Sequence, residues 1–235
     1  MWLIAEYEAV TLFSLKLSTA TSSGGKTLLV PTPYALKMAL LDSACRTLGV
    51  KQAESVWDQI RDLHVAIRPA AKVVVTNLFQ RILKPYKNPP KEGTPDSFGP
   101  FQRTIGYREY AQLVGPMAVA LELSEAQKET FVDLLLNISY FGKRGGFMQL
   151  VRTPLFIEEL PSQFIDATIQ QTSFAVFGTL QVLDDCAPSL SFEKANIYSG
   201  VNLKKDIDRI TRNIILPYHM TRSSKSFSLY EYATD

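Results

Sequence analysis

The sequence predicts an α+β domain on a βαββαβ plan, and three observations predict it. Hydrophobic residues make up 46% of the 235-residue chain and charged residues 20%, which supplies a core and argues against general disorder. Up to about residue 152, runs of β-type and helix-type periodicity follow one another as strand, helix, strand pair, strand, helix, strand. Clusters of Gly, Pro, Ser and Thr punctuate those runs.

Each element rests on its own residues. Met1–Leu17 alternates and is rich in aliphatic, aromatic and β-branched side chains, so it reads as a long first strand, followed by a Ser/Thr/Gly loop over Ser18–Lys26. Thr32-Pro33 reads as a helix start, with Thr as N-cap and Pro in the first turn; the helix runs through Leu36, Leu40 and Ala44 and stops at Gly49. A second short helix covers about Ala53–Asp62, and strands follow over Leu63–Arg68 and Lys72–Leu83. Residues 84–104 hold five prolines and two glycines and read as a long, basic, inserted loop. Strand-like sequence resumes at Ile105 and again over Met117–Leu123. Ser124 then opens an amphipathic helix to about Ser139, with Phe131, Leu134, Leu135 and Ile138 on one side. The turn Gly142-Lys143-Arg144-Gly145-Gly146 leads into a strand over Phe147–Arg152. This order, with an insertion, is the ferredoxin-like (RRM-like) βαββαβ plan. It assigns residues 1–155 to a ferredoxin-like domain and 156–235 to a smaller β-rich region, with strands expected over Ala175–Leu183, Ser189–Tyr198, Arg212–Met220 and Ser226–Tyr232.

The net charge of +2 is uninformative, but its distribution is uneven: +5 over residues 61–110 and −5 over residues 111–200. A basic stretch beside an acidic one suggests one surface that meets a polyanion and another that meets protein. Two cysteines, Cys45 and Cys186, make neither a disulfide framework nor a Cys-only metal site. The N-terminal stretch carries Glu6 and Glu8 and lacks a basic leader, and no apolar run is long enough for a membrane helix, so a soluble cytoplasmic protein is expected.

Several catalytic patterns fail on their residues. Gly24-Gly25-Lys26-Thr27 lacks the earlier glycine of a phosphate-binding loop, because Ala20 stands there, and no helix follows directly. His64 and His219 have no partners at metal-binding spacing, and no cofactor is implied. The adjacent pairs Glu158-Glu159 and Asp184-Asp185 read as solvated turns, since neighbouring strand side chains face opposite ways. Tyr218, His219 and Lys225 are the one candidate set for metal-independent RNA cleavage.

Binding has better support. Lys143 and Arg144 sit among three glycines, where a backbone can approach a phosphate. Arg103, Tyr107, Arg108 and Tyr110 combine cations for phosphates with rings on which splayed bases stack. Lys26, Lys84 and Lys87 add charge to the same candidate RNA-binding set.

Three stretches resemble the RAMP superfamily of CRISPR-associated proteins, in particular the Cas-five family. Val30–Leu41 is similar to that family's proline-containing approach to its first helix. Thr104-Ile105-Gly106-Tyr107-Arg108-Glu109-Tyr110 is similar to its "REY" segment, and Tyr140–Phe147 to the Gly-rich turn after its second helix. The likeness covers about residues 1–155. It implies a subunit of a Cascade complex that grips the 5′ handle of crRNA, touches a backbone RAMP subunit and a large subunit, and meets target DNA only indirectly. It also implies a thumb-like loop across the RNA, for which residues 84–104 are the candidate. Most members only bind, which is the reading taken here; the alternatives are a repeat endoribonuclease and a ferredoxin-like protein-interaction module without RNA.

Overall fold

The computed structural model describes residues 1–16, 24–88, 101–143, 145–171, 177–196, 198–204 and 207–233. In chain order its elements are β1 (Trp2–Ala9), β2 (Gly24–Gly25), α1 (Pro33–Thr47), α2 (Val50–Arg61), β3 (His64–Arg68), β4 (Lys72–Pro85), β5 (Phe101–Val114), β6 (Met117–Glu122), a 3₁₀ turn (Glu125–Gln127), α3 (Lys128–Leu136), β7 (Met148–Leu150), β8 (Leu155–Ile157), β9 (Ile165–Asp166), β10 (Thr179–Cys186), α4 (Phe192–Ala195), β11 (Arg209–Leu216), β12 (Tyr218–Ser223) and β13 (Phe227–Tyr232). The chain is α+β, with almost wholly antiparallel sheets.

The central sheet runs β7-β1-β6-β3-β9, and β8 also pairs with β1. Because β1 and β3 are each antiparallel to β6, they are parallel to each other with β6 between them. By the same logic β6 and β7 are parallel with β1 between them. Helices α1 and α3 bridge these crossovers and share one apolar core with the sheet. Local signals fix the helix starts. Thr32 accepts a hydrogen bond from the Ala35 N–H at 3.1 Å with Pro33 in the first turn, and Ser124 with Gln127 closes a capping box ahead of α3. Gly49, at φ +86°, makes the break between α1 and α2. Polar contacts lock the layers: the Tyr7 hydroxyl donates to Leu135 O (2.7 Å) and the Ser43 hydroxyl to Leu134 O (2.9 Å).

The opposite face of the sheet is built from small side chains, Ala66, Ala118 and Ala120 beside Ile4. That allows the segment from β8 to β9 to lie close, with Leu155, Ile157, Leu160 and Phe164 packed over it. Arg68 stacks on Phe164 (5.9 Å) and Lys128 on Phe156 (5.2 Å), and Asp166 bonds His64.

The second sheet runs β12-β13-β4-β5-β2. Its centre is the β4–β5 hairpin, paired without interruption from Lys72↔Val114 to Pro85↔Phe101. This corrects the expected loop over residues 84–104: Lys84, Pro85 and Phe101–Thr104 belong to the ladder, and residues 89–100 lie outside the described residues. Pro85 is tolerated because it is the last residue of its strand. Strand β13 covers β4 only from Lys72 to Thr76, so the distal half of the hairpin projects as a two-stranded ribbon with Phe79, Leu83, Phe101 and Ile105 exposed.

Three further expectations are corrected. The first strand ends at Ala9, after which the chain crosses to the second sheet through the bridge Phe13↔Ala111. Ser189–Tyr198 is not a strand: Ser191 caps the short helix α4, accepting from Lys194 N–H. Arg212–Met220 divides at Pro217 into β11 and β12, which join different sheets. The C-terminal third is β-rich, yet its strands β8, β9 and β13 pair with strands of the first 155 residues. One core cluster runs from Leu3 to Tyr218.

Candidate nucleic-acid interface

Two segments remote in sequence meet on the outer edge of β5. Phe13 exchanges both backbone hydrogen bonds with Ala111 (3.0 and 2.7 Å), and β2 pairs in parallel with Tyr107–Arg108. The Gly-rich turn then closes over Phe13–Leu15. Gly142 has φ +73°, and a Cβ there would collide with the Leu15 side chain; Gly146 lies against the Phe13 Cβ. Thr11 fastens the turn, its hydroxyl donating to Gly145 O (2.6 Å) and accepting from Phe147 N–H (3.2 Å). These glycines therefore serve packing of the turn against its neighbours.

The result is a cavity of about 320 Å³ between Phe13, Ser14, Arg108, Tyr110, Phe141 and Lys143. Lys16 stands beside it. Its ammonium is held below the ordinary lysine range, by burial first and then by the positive charges of Arg108 and Lys143. Three cations from three separate segments thus meet at one locus, with a buried Ser14 hydroxyl that has no hydrogen-bond partner among the described residues.

Arg108, Tyr110 and Lys143, named from the sequence, are brought together; Arg144 lies outside the described residues. Lys26 is exposed just after β2. Arg103, Lys84 and Lys87 are exposed on or beside the distal ribbon, away from the cavity. Tyr107 faces the opposite side of β5 from Arg108, stacks on Phe79 (4.9 Å), and its hydroxyl sits between Asn77 Oδ1 (3.0 Å) and Glu109 Oε1 (2.9 Å), so its ring is already engaged. Ser14, Lys16 and Phe141 were not singled out by sequence; the one available signal was their place beside strand and glycine motifs that turn out to meet.

The candidate cleavage set does not assemble. Tyr218 is fully buried, its hydroxyl donates to Ala70 O (2.5 Å), and burial raises its pKa; His219 and Lys225 are exposed on the surface. Asp184 and Asp185 are no solvated turn either. Both are buried on β10, where Asp185 binds Lys37 Nζ (2.7 Å) and Arg212 (3.0 Å), and Asp184 binds Arg209 (3.2 Å), whose guanidinium stacks on Tyr34 at 3.7 Å. No helix among the described residues is long and apolar enough to cross a membrane.

No protein-family profile matches the chain. A curated relative does: "CRISPR-associated protein Cas5" of Archaeoglobus fulgidus is 24% identical over 222 residues, spanning 88% of this chain and 90% of the relative. The chain is similar to Cas5 over most of both lengths. The likeness to Cas5, carried in the sequence by three short motifs, therefore extends well into the C-terminal third. Among solved structures, a CRISPR protein from Archaeoglobus fulgidus matches with TM-score 0.50 at 11% identity, covering all of this chain and 92% of that one, which bears on fold alone. A chain of a "CRISPR RNA-guided surveillance complex" matches at TM-score 0.46 and 16% identity, covering 91% of this chain and 88% of that one.

Proposed function

We propose that the chain is a non-catalytic RNA-binding subunit of a CRISPR effector complex, gripping the 5′ handle of crRNA and capping the assembly beside a backbone RAMP subunit and a large subunit. The observation that carries this reading is the convergence of Lys16, Arg108 and Lys143 around an aromatic-walled cavity. Phosphates of a single strand answer the cations, and Tyr110 offers a ring for an unstacked base. Relationship to a CRISPR-associated protein supplies the class of assembly. The two split βαβ crossovers of the central sheet support a ferredoxin-like assignment, and the β4–β5 ribbon takes the place of the thumb-like element. Burial of the Tyr218 hydroxyl supports binding over cleavage.

The test is binding of a single-stranded repeat RNA by the full chain, titrated with salt in the presence of a chelator. The reading expects intact RNA and an affinity that falls steeply with ionic strength. Absent or salt-independent affinity favours the protein-interaction module. Specific cuts that vanish in His219→Ala favour the endoribonuclease.

A further inference from the structure

The segment from β8 to β9 crosses the back of the central sheet, from the β1 edge to the β3 edge, over Ala118 and Ala120 of β6. We infer that this segment, residues 155–166, is a strap that a proton on His64 latches shut; the inference is independent of the RNA-binding reading. Its own packing is thin. No residue from Leu155 to Asp166 is buried, whereas Pro154 and Ala167 at its two ends are. Its ladders are short, three residue pairs to β1 and two to β3. An element with so little buried surface opens locally while the rest of a fold stays closed. Opening uncovers the small-residue face of Ile4, Ala66, Ala118 and Ala120.

At the β9 end the fastening is ionic. His64 Nε2 bonds Asp166 Oδ2, and His64 Nδ1 lies 2.6 Å from Glu122 Oε2, so both ring nitrogens face carboxylates. Only the imidazolium donates from both; the neutral ring keeps one N–H and turns a lone pair to the other carboxylate. Asp166 carries this hold into the end of the strap. Its other oxygen accepts from the N–H groups of Thr168 and Ile169 (both 2.9 Å) and from the Thr168 hydroxyl (3.2 Å). A cavity of about 580 Å³ beside His64 is lined by Met1, Asp58 and Asp62 as well, and Arg61 holds both aspartates. Trp2 of β1 lies against the imidazole at 5.0 Å. The charged side chains that face His64 from β6, β9 and the end of α2 are thus carboxylates. Arg68 on Phe164 and Lys128 on Phe156 also hold the strap, and neither titrates near neutral pH.

Hydrogen exchange of the full chain from pH 6 to 9, corrected for base catalysis and read separately on residues 155–166 and on β6, tests this. The strap should exchange at least about tenfold faster than β6 at every pH, because it opens while the sheet stays closed. Its protection should be level below about pH 6.5 and fall by up to about tenfold per pH unit above that, since opening then sheds one proton, before levelling again. His64→Gln should make strap protection constant across the range. Asp166→Asn should do the same while the His64 ring, followed by its NMR shift, still titrates beside Glu122; a histidine with a merely structural role would not separate the two readouts. Strap protection equal to that of β6, or unchanged with pH, or still pH-dependent in His64→Gln, overturns the latch.

Discussion

The junction of α1 with β10 and the turn beside β5 are both rich in lysine and arginine, and they treat those charges in opposite ways. At the first, Lys37 is 2% exposed and bound to Asp185, which also holds Arg212, while Arg209 is matched by Asp184. At the second, Arg108 and Lys143 stand close enough to depress the pKa of Lys16, and the nearby Glu109 is occupied by Thr27 N–H and the Tyr107 hydroxyl. Taking ions out of water is tolerable only with close partners, so the first group is architecture. The second stands nearer to solvent, where a polyanion can reach it. What separates the two is burial, which no count of residues reveals.

The comparison breaks most sharply at Asp185. Asp185→Ala leaves buried Lys37 and half-buried Arg212 without their carboxylate and should cost about 3–5 kcal/mol in denaturant unfolding. The triple change Lys37→Met, Arg212→Met and Asp185→Leu should recover much of that, because an apolar group of similar volume needs no compensation. At the other group, Arg108→Ala with Lys143→Ala should leave unfolding stability within about 0.5 kcal/mol of the parent. RNA affinity should drop instead, with the log–log salt slope shallower by about 0.7 for each phosphate that is no longer neutralised. A large loss of stability there would mean that these cations are architecture too.

Gly142→Ala should fall between the extremes, costing about 1–2 kcal/mol because an alanine is forced to positive φ and into Leu15. It should weaken RNA binding as well by shifting Lys143.

The smallest effect concerns His64, a third kind of charged group. Burial lowers its pKa, but hydrogen bonds and charge from Glu122 and Asp166 outweigh that and raise it above the ordinary value. The stabilisation is therefore complete below the unfolded-state pKa of about 6.5 and is lost as pH rises through the folded value above it. Stability measured from pH 6 to 8.5 should decline, and His64→Gln should remove that decline.

Signals carried within a few residues were legible in the sequence: the Thr32-Pro33 helix start, the Ser124 cap and the alternation of β13. What failed depended on partners distant in the chain. Asp184-Asp185 looks like a polar turn until α1 and β11 deliver Lys37, Arg209 and Arg212, and the small side chains Ala66, Ala118 and Ala120 mean little until β8 and β9 lie over them. The prolines after residue 84 hid a ladder whose register is set by its base, far from those prolines. The candidate site was half legible: Arg108, Tyr110 and Lys143 were visible as separate clusters, whereas their meeting, and Ser14 between them, required the crossing of Phe13 onto Ala111.

The projecting ribbon has a metric consequence. From Gln80, just past the β4 residues opposite the β2-paired Tyr107–Arg108, to Pro85 it extends about 17 Å at ~3.4 Å per residue. The uninterrupted register makes that length a fixed interval between the body and whatever Phe101 touches. Adding one two-residue step to each strand lengthens it by about 7 Å while every side chain keeps its face. The molecule thus carries a ruler, and its graduation is the strand repeat.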